Sequence, residues 1–195
     1  MDNFLFKDTS LEGLKVVERN QIGDTRGHLS KIFCIDKLSS AGWIKPISQV
    51  NHTLTKKRGT VRGFHYQHYP NAEMKLVSCL KGKVLDIAID IRKDSPTFLQ
   101  WHSEILSQEN LVAMLIPEGF AHGFQALEND SELIYLHSEK YNNLAEGGIR
   151  YNDPKLNLHW PLDVIEVSNR DRDHPVGTET FFRAITFFKA LFYEL

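Results

Sequence analysis

The sequence predicts an all-β protein whose antiparallel strands close as a barrel, sandwich or jelly roll. Three observations carry that reading. Residues 84–91 alternate with period two, placing Leu85, Ile87, Ile89 and Ile91 on one face and Asp86 and Asp90 on the other, which is the signature of a strand. Short apolar runs of this kind recur with turn-rich pieces between them, at the spacing of ~8–12 residues common in all-β domains. No βαβ alternation, Gly-rich phosphate loop or internal repeat interrupts them, which disfavours a Rossmann dehydrogenase or a P-loop enzyme.

Taken in order, Lys75–Leu80 reads as a strand, and Lys81-Gly82 as the hairpin turn that joins it to 84–91. Asp94-Ser95-Pro96 breaks the chain before a strand at Trp101–Leu106, and Ser107-Gln108-Glu109-Asn110 before one at Val112–Ile116. Glu128-Asn129-Asp130-Ser131 leads into Glu132–His137. Helix is scarce until a short C-terminal segment, Thr178–Leu195, which has no Gly or Pro and a Thr-Glu-Thr start suited to an N-terminal cap. The expected organisation is one domain over residues 1–177 and a helical tail over 178–195.

That tail is apolar on more than one face, through Phe181, Phe182, Ile185, Phe187, Phe188, Leu191 and Phe192, and it contains Arg183 and Lys189. It is a poor membrane span on length and charge. Packing on the barrel or across a homodimer is the expectation. A helix lying on a membrane surface has a similar pattern and is the alternative.

Composition narrows the class. A chain of 195 residues can bury a sizeable core unaided. Its net charge of −2 and the lack of a basic cluster interleaved with aromatics give no reason to expect nucleic acid. Cys34 and Cys79 lie in apolar runs without C-x-x-C spacing, and read as small buried thiols in a reducing compartment. Met1–Asp8 is acidic and lacks a long apolar stretch, unlike a signal peptide, so a cytoplasmic enzyme is expected.

Two segments hold the chemistry: Arg62-Gly63-Phe64-His65-Tyr66-Gln67 and Ile116-Pro117-Glu118-Gly119-Phe120-Ala121-His122-Gly123-Phe124. Each sets one histidine among Gly, aromatic and apolar residues, at strand edges by this reading. Histidine alone titrates near neutrality without help, so the pair points to proton transfer. The plainer alternative makes both hydrogen-bonded core residues. Lys75 and Tyr135, on neighbouring strand-like runs, add an electrophile and an acid.

Half of a metal-binding pattern is present. Pro117, Gly119 and His122 fit the Pro-x-Gly-x-x-His motif of many cupin barrels, but the earlier strand reads His65-Tyr66-Gln67-His68. The His-x-His alternation that places two ligands on one strand face is broken, so no metal and no other cofactor is expected.

Further motifs make the chain resemble a known family. They are Gly23-Asp24-x-Arg26-Gly27, Gln49-x-Asn51-His52, Val61–Gln67, Lys75-Leu76-Val77 and Asp90-Ile91-Arg92-x-x-Ser95-Pro96-Thr97-Phe98. Ile116–Phe124, Gly148-Ile149-Arg150-Tyr151-Asn152-Asp153-Pro154 and Trp160-Pro161 complete the set. From about Gly23 to Pro175 the chain is similar to the dTDP-4-dehydrorhamnose 3,5-epimerases, metal-free cupin-type barrels acting on nucleotide-linked sugars.

The resemblance implies roles. His65 matches the family's base, and Asp171, in Ser168-Asn169-Arg170-Asp171, the carboxylate that orients it; Asp173 lies two residues away as a competitor. Tyr135 matches the acid on the other face, with Tyr141 nearby as the substitute. Lys75 would stabilise charge on the 4-oxygen, and His122 would wall the sugar beside it. Arg26, Gln49, Arg62 and Arg170 would hold the diphosphate and nucleoside, unless Arg26 and Arg170 are plain surface charges. His52, His68, His137, His159 and His174 are read as structural or exposed.

Departures bear on specificity. Lys31 stands where the family commonly has Glu against the base. Glu73-Met74 precedes Lys75 where Gln and a small residue are usual, and Leu136-His137-Ser138 replaces Lys-x-Thr. A carboxylate at Glu73 would alter the field of Lys75. The expected function is epimerisation at C3, C5 or both of a nucleotide-linked 4-keto-6-deoxy sugar, in deoxysugar supply for surface polysaccharide or glycoconjugate. A ketoisomerase on the same fold and a non-catalytic sugar-binding cupin are the alternatives. The expected partners are that substrate and a second copy of the chain, as a homodimer.

Overall fold

The computed structural model describes residues 4–177, so the tail at Thr178–Leu195 lies outside the described residues. Thirteen strands are present among them. The first five are β1 (Phe4–Asp8), β2 (Lys15–Arg19), β3 (Gln21–Asp24), β4 (Gly27–Ser30) and β5 (Gln49–Thr55). Then come β6 (Val61–Gln67), β7 (Lys75–Lys81), β8 (Lys83–Asp90) and β9 (Trp101–Ser107). The last four are β10 (Val112–Ile116), β11 (Phe120–Ala126), β12 (Ser131–His137) and β13 (Glu146–Gly148). Two short helices, α1 (Ile35–Ser40) and α2 (Asn169–Asp173), and a 3₁₀ turn at Pro154–Leu156 complete the elements.

A six-stranded sheet, β1-β2-β10-β7-β12-β5, faces a five-stranded one, β13-β6-β11-β8-β9. All pairings between these strands are antiparallel, the jelly-roll class the sequence predicts. A third unit, the β3–β4 hairpin, stands apart with Ile22 and Leu29 exposed.

Period-two alternation sorts the side chains into three apolar layers. Val77, Cys79, Val84, Leu106, Met114, Phe124 and Leu133 fill the space between the sheets. The outer face of the six-stranded sheet packs Leu76, Ala113, Leu115 and Leu136 under Leu38 of α1 and Trp43. The outer face of the five-stranded sheet packs Phe64, Tyr66, Ile87 and Ile89 under the 149–160 segment, where Trp160 stacks on Phe64 at 5.7 Å.

Burial on both faces explains the runs read as strands. The Ile87/Ile89 face of β8 points out to the Trp160 layer, while Asp86 and Asp90, fully buried, take the opposite face. The expected strands at 84–91, Lys75–Leu80, Trp101–Leu106, Val112–Ile116 and Glu132–His137 are all present within one or two residues at their ends. The Lys81-Gly82 turn is also there, with Gly82 at φ +72°.

The two histidine segments are not strand edges. His65 and His122 lie in the interiors of β6 and β11, adjacent strands that cross at two glycines. A Cβ on Gly63 would lie 2.5 Å from Gly123 Cα, and one on Gly123 would lie 3.1 Å from Gly63 Cα. Gly63 also sits at φ +126°, so no other residue lets these backbones approach as they do.

Candidate active site

A cavity of about 930 Å³ opens between the two sheets. Side chains from β5, β6, β7, β11 and β12 and from the α2 segment line it. Along β7 the inward positions run from Lys75 to Val77 and Cys79, and along its partner β12 from His137 to Tyr135 and Leu133, in register. Each strand thus descends from a polar mouth to an apolar floor.

His65 and His122 are cross-strand partners on β6 and β11. His65 Nε2 donates to Asp171 Oδ1 at 2.8 Å, and the other oxygen of that carboxylate accepts the Gly63 backbone N–H at 3.1 Å. Asp171 is buried in the first turn of α2, capped by the Ser168 side chain, which accepts the Asp171 N–H. Burial would raise its carboxyl, but the hydrogen bond and charge of His65 hold it well below the usual range. Asp173 is exposed and takes no part. One imidazole nitrogen is therefore engaged by a fixed carboxylate, and the other keeps its lone pair for proton transfer.

His122, nearly fully buried, bonds Asp86 at 2.7 Å. The Tyr135 ring meets His122 edge-on at 5.9 Å. Burial raises the Tyr135 phenol, with the Asp86 charge adding to the effect, so Tyr135 is held in its proton-donating form. Tyr135 belongs to the six-stranded sheet and His65 to the five-stranded one. A ligand in the cavity lies between them.

Lys75 Nζ is 3.0 Å from Glu73 Oε1 and 3.4 Å from the His65 carbonyl oxygen. Arg62 donates to Thr55 Oγ1 and the Leu54 carbonyl, both neutral, so its charge is left for an anion. Arg170 spans Glu146 at 2.9 Å and His65 Nε2 at 3.2 Å. Tyr141 lines the rim and donates to Glu146 at 3.0 Å.

The structure brings together His65, Asp171, Tyr135, Lys75, His122, Arg62, Arg170 and Tyr141 around one cavity. Gln49 stands just behind the wall, where its Oε1 accepts the Tyr141 backbone N–H. Arg26 and Lys31 are not brought there. Arg26 is exposed at the tip of the β3–β4 hairpin, paired with Asp24 at 2.5 Å, and Lys31 is exposed just after β4.

Two of the histidines read as structural or exposed stand at or beside the site. His137 lines the cavity, 2.8 Å from Glu73 through Nδ1 and stacked beside Tyr135 at 6.0 Å. His174 lies beside His65, their rings 5.9 Å apart. Burial lowers its pKa, and the charge of His65 lowers it further. Its ring occupies the space over Gly148 that any Cβ there would need. His65, Asp171 and His174 form a group of metal-ligand type, in which Asp171 is already bonded by His65 and Gly63. Period two would have flagged His137, since it lies two residues from Tyr135 on the same strand face. Nothing local marks His174.

Comparison with known proteins gives one answer. The family model described as dTDP-4-dehydrorhamnose 3,5-epimerase matches residues 8–179. The dTDP-4-dehydrorhamnose 3,5-epimerase of Shigella flexneri is 39% identical over 164 residues, covering 84% of this chain and 90% of that one. Among solved structures, the dTDP-6-deoxy-D-glucose-3,5-epimerase of Legionella pneumophila, in complex with dTDP-4-keto-L-rhamnose, superposes with a TM-score of 0.82. It is 37% identical, covering 86% of this chain and 89% of that one. A 3'-monoepimerase from Streptomyces bikiniensis, in complex with dTDP-quinovose, has a TM-score of 0.81 and 32% identity, with 86% and 85% coverage.

Proposed function

The chain belongs to the dTDP-4-dehydrorhamnose 3,5-epimerase family, and from that premise we propose that His65 and Tyr135 invert its nucleotide-linked 4-keto-6-deoxy sugar. The enzyme is an isomerase of nucleotide sugars in deoxysugar biosynthesis. The observation that carries the mechanism is the placement of His65 and Tyr135 on opposing sheets of one cavity.

A 4-keto group acidifies the protons on C3 and C5. His65 takes one of them, and the Asp171 carboxylate stabilises the imidazolium that forms. The electron pair moves into the ring and leaves an enolate whose charge rests on the 4-oxygen, which Lys75 stabilises by charge and hydrogen bond. Tyr135 then delivers a proton to the same carbon from the opposite side, and the centre is inverted. Ketoisomerisation moves a proton between neighbouring positions and has no need of two opposed carriers. A non-catalytic barrel has no need of an oriented His–Asp pair.

Arg62, whose charge meets only neutral acceptors, supplies the guanidinium for the diphosphate, with Arg170 across the mouth. We read the β3–β4 hairpin as a dimer element. Its exposed Ile22 and Leu29 favour burial against a second copy, which is also the way for Arg26 and Lys31 to meet a nucleotide. A monomer by light scattering at micromolar concentration refutes that part. No helix among the described residues is long and apolar enough to cross a membrane.

Incubation with several nucleotide-linked 4-keto-6-deoxy sugars in deuterated water, followed by proton NMR, tests the reading. Solvent deuterium should enter at C3, C5 or both, with inversion there. No exchange with any of them refutes it.

A further inference from the structure

Lys75 does not stand alone in the cavity wall. Glu73 Oε1 lies 3.0 Å from its Nζ, and Glu73 Oε2 accepts a hydrogen bond from His137 Nδ1 at 2.8 Å. All three side chains are close to nine-tenths buried. The triangle is fixed by register, because Lys75 and His137 are cross-strand partners on β7 and β12. Its far side is braced too. His137 Nε2 is 3.4 Å from Asn51 Nδ2, and Asn51 Oδ1 accepts from Gln49 at 3.0 Å.

The arrangement solves a problem that a buried ammonium creates. Without a partner such a charge is costly, and without orientation its three donors have no set direction. Burial would raise the Glu73 carboxyl, yet the Lys75 charge and the His137 hydrogen bond hold it at about 2, so it is ionised at neutral pH. One Lys75 N–H is taken by Glu73, and the His65 carbonyl at 3.4 Å draws a second. The third remains for the substrate.

We propose that Glu73 is a positioning residue that aims the remaining Lys75 N–H at the sugar's 4-oxygen, and that His137 acts through Glu73 by holding its second oxygen. The inference rests on the epimerase reading above. Lys75 donates to the oxygen that gains charge, so loss of its aim acts on the enolate-forming step rather than on nucleotide binding.

The test measures kcat, KM and deuterium entry with a dTDP-linked 4-keto-6-deoxyhexose. E73Q should lower kcat and exchange together by ~10–10²-fold, less than outright removal of an oxyanion donor, with KM nearly unchanged. H137F should lower kcat by a smaller factor, and H137N, whose amide replaces the Nδ1 donor, should restore it. Because both act through one carboxylate, E73Q/H137F should be no slower than E73Q. Wild-type kcat in E73Q, additive losses in the double variant, or a loss confined to KM overturns the proposal. If E73Q does not fold, H137F with H137N decides it, and unchanged kcat in H137F overturns it. A wild-type enzyme that exchanges no ring proton overturns both this inference and the epimerase reading, whereas exchange with E73Q at wild-type kcat overturns this inference alone.

Discussion

His65 and His122 sit opposite each other on adjacent strands, yet each is tied to its own carboxylate and they differ in access. His65 bonds Asp171 at 2.8 Å with its side chain 26% exposed, while His122 bonds Asp86 at 2.7 Å with 6%. Two similar pairs therefore divide the work. The accessible imidazole is the one proposed as the base, and the buried one lines the cavity beside it.

That division predicts distinct losses. His65→Ala should abolish deuterium entry at every ring carbon, since no proton leaves; loss of a general base is typically ~10²–10⁴-fold. Asp171→Asn should fall in the same range, because Asp171 also holds the Gly63 N–H and sets the ring. Exchange at full rate in His65→Ala would remove the central assignment.

Much of this arrangement was legible in the sequence. Val112–Ile116 and 84–91 announced themselves because both their faces are apolar or buried, so packing and pattern agree. The β6 and β11 strands did not, because Gly63, His65, His122 and Gly123 interrupt the apolar alternation where the barrel turns polar. The resemblance to a family named Asp171, where local sequence left Asp173 as a competitor. Period two puts His137 on the Tyr135 strand face, but its tie to Glu73, 64 residues away in the chain, has no local signal. The place of Arg26 and Lys31 was illegible because they belong to a hairpin, and the residue just after it, that pairs with neither barrel sheet.

The buried carboxylates make stability sensitive to acid. Glu73 titrates near 2 in the folded protein against a reference of 4.5, and Asp171 is held well below 3.8. With folded values below unfolded ones, their contribution is fully present above about pH 4.5 and is lost as pH falls through the folded values. The thermal midpoint should therefore drop steeply from about pH 4.5 toward 2. Glu73→Gln should flatten that slope while lowering the midpoint at neutral pH. An unchanged slope would show that Glu73 is not the linked group.

Binding and chemistry should separate at Arg62. Its guanidinium meets only neutral acceptors, so Arg62→Ala should raise KM by ~10–10²-fold, the worth of one charge-assisted contact, with a smaller change in kcat. Base recognition is a separate matter. If Lys31 replaces a base-contacting Glu, as the resemblance implies, calorimetric titration should give thymidine diphosphate no clear advantage over guanosine, cytidine and uridine diphosphates. A strong thymidine preference would show that Lys31 is tolerated or points elsewhere.

Tyr135 gives the sharpest separation, because removing a donor from one face leaves the base on the other intact. In Tyr135→Phe, His65 still takes the C3 or C5 proton and Lys75 still holds the enolate. Solvent deuterium can reach the imidazole, and His65 returns it to the face the proton left. Exchange should continue while inversion is suppressed. The buried phenol is displaced upward and so remains protonated through the working range, which makes Phe a replacement that removes the proton and little else. Inversion at the normal rate in Tyr135→Phe would transfer the acid's role to Tyr141 on the rim or to water. Loss of exchange together with inversion would instead mean that Tyr135 is needed to form the enolate, and would end the two-face assignment.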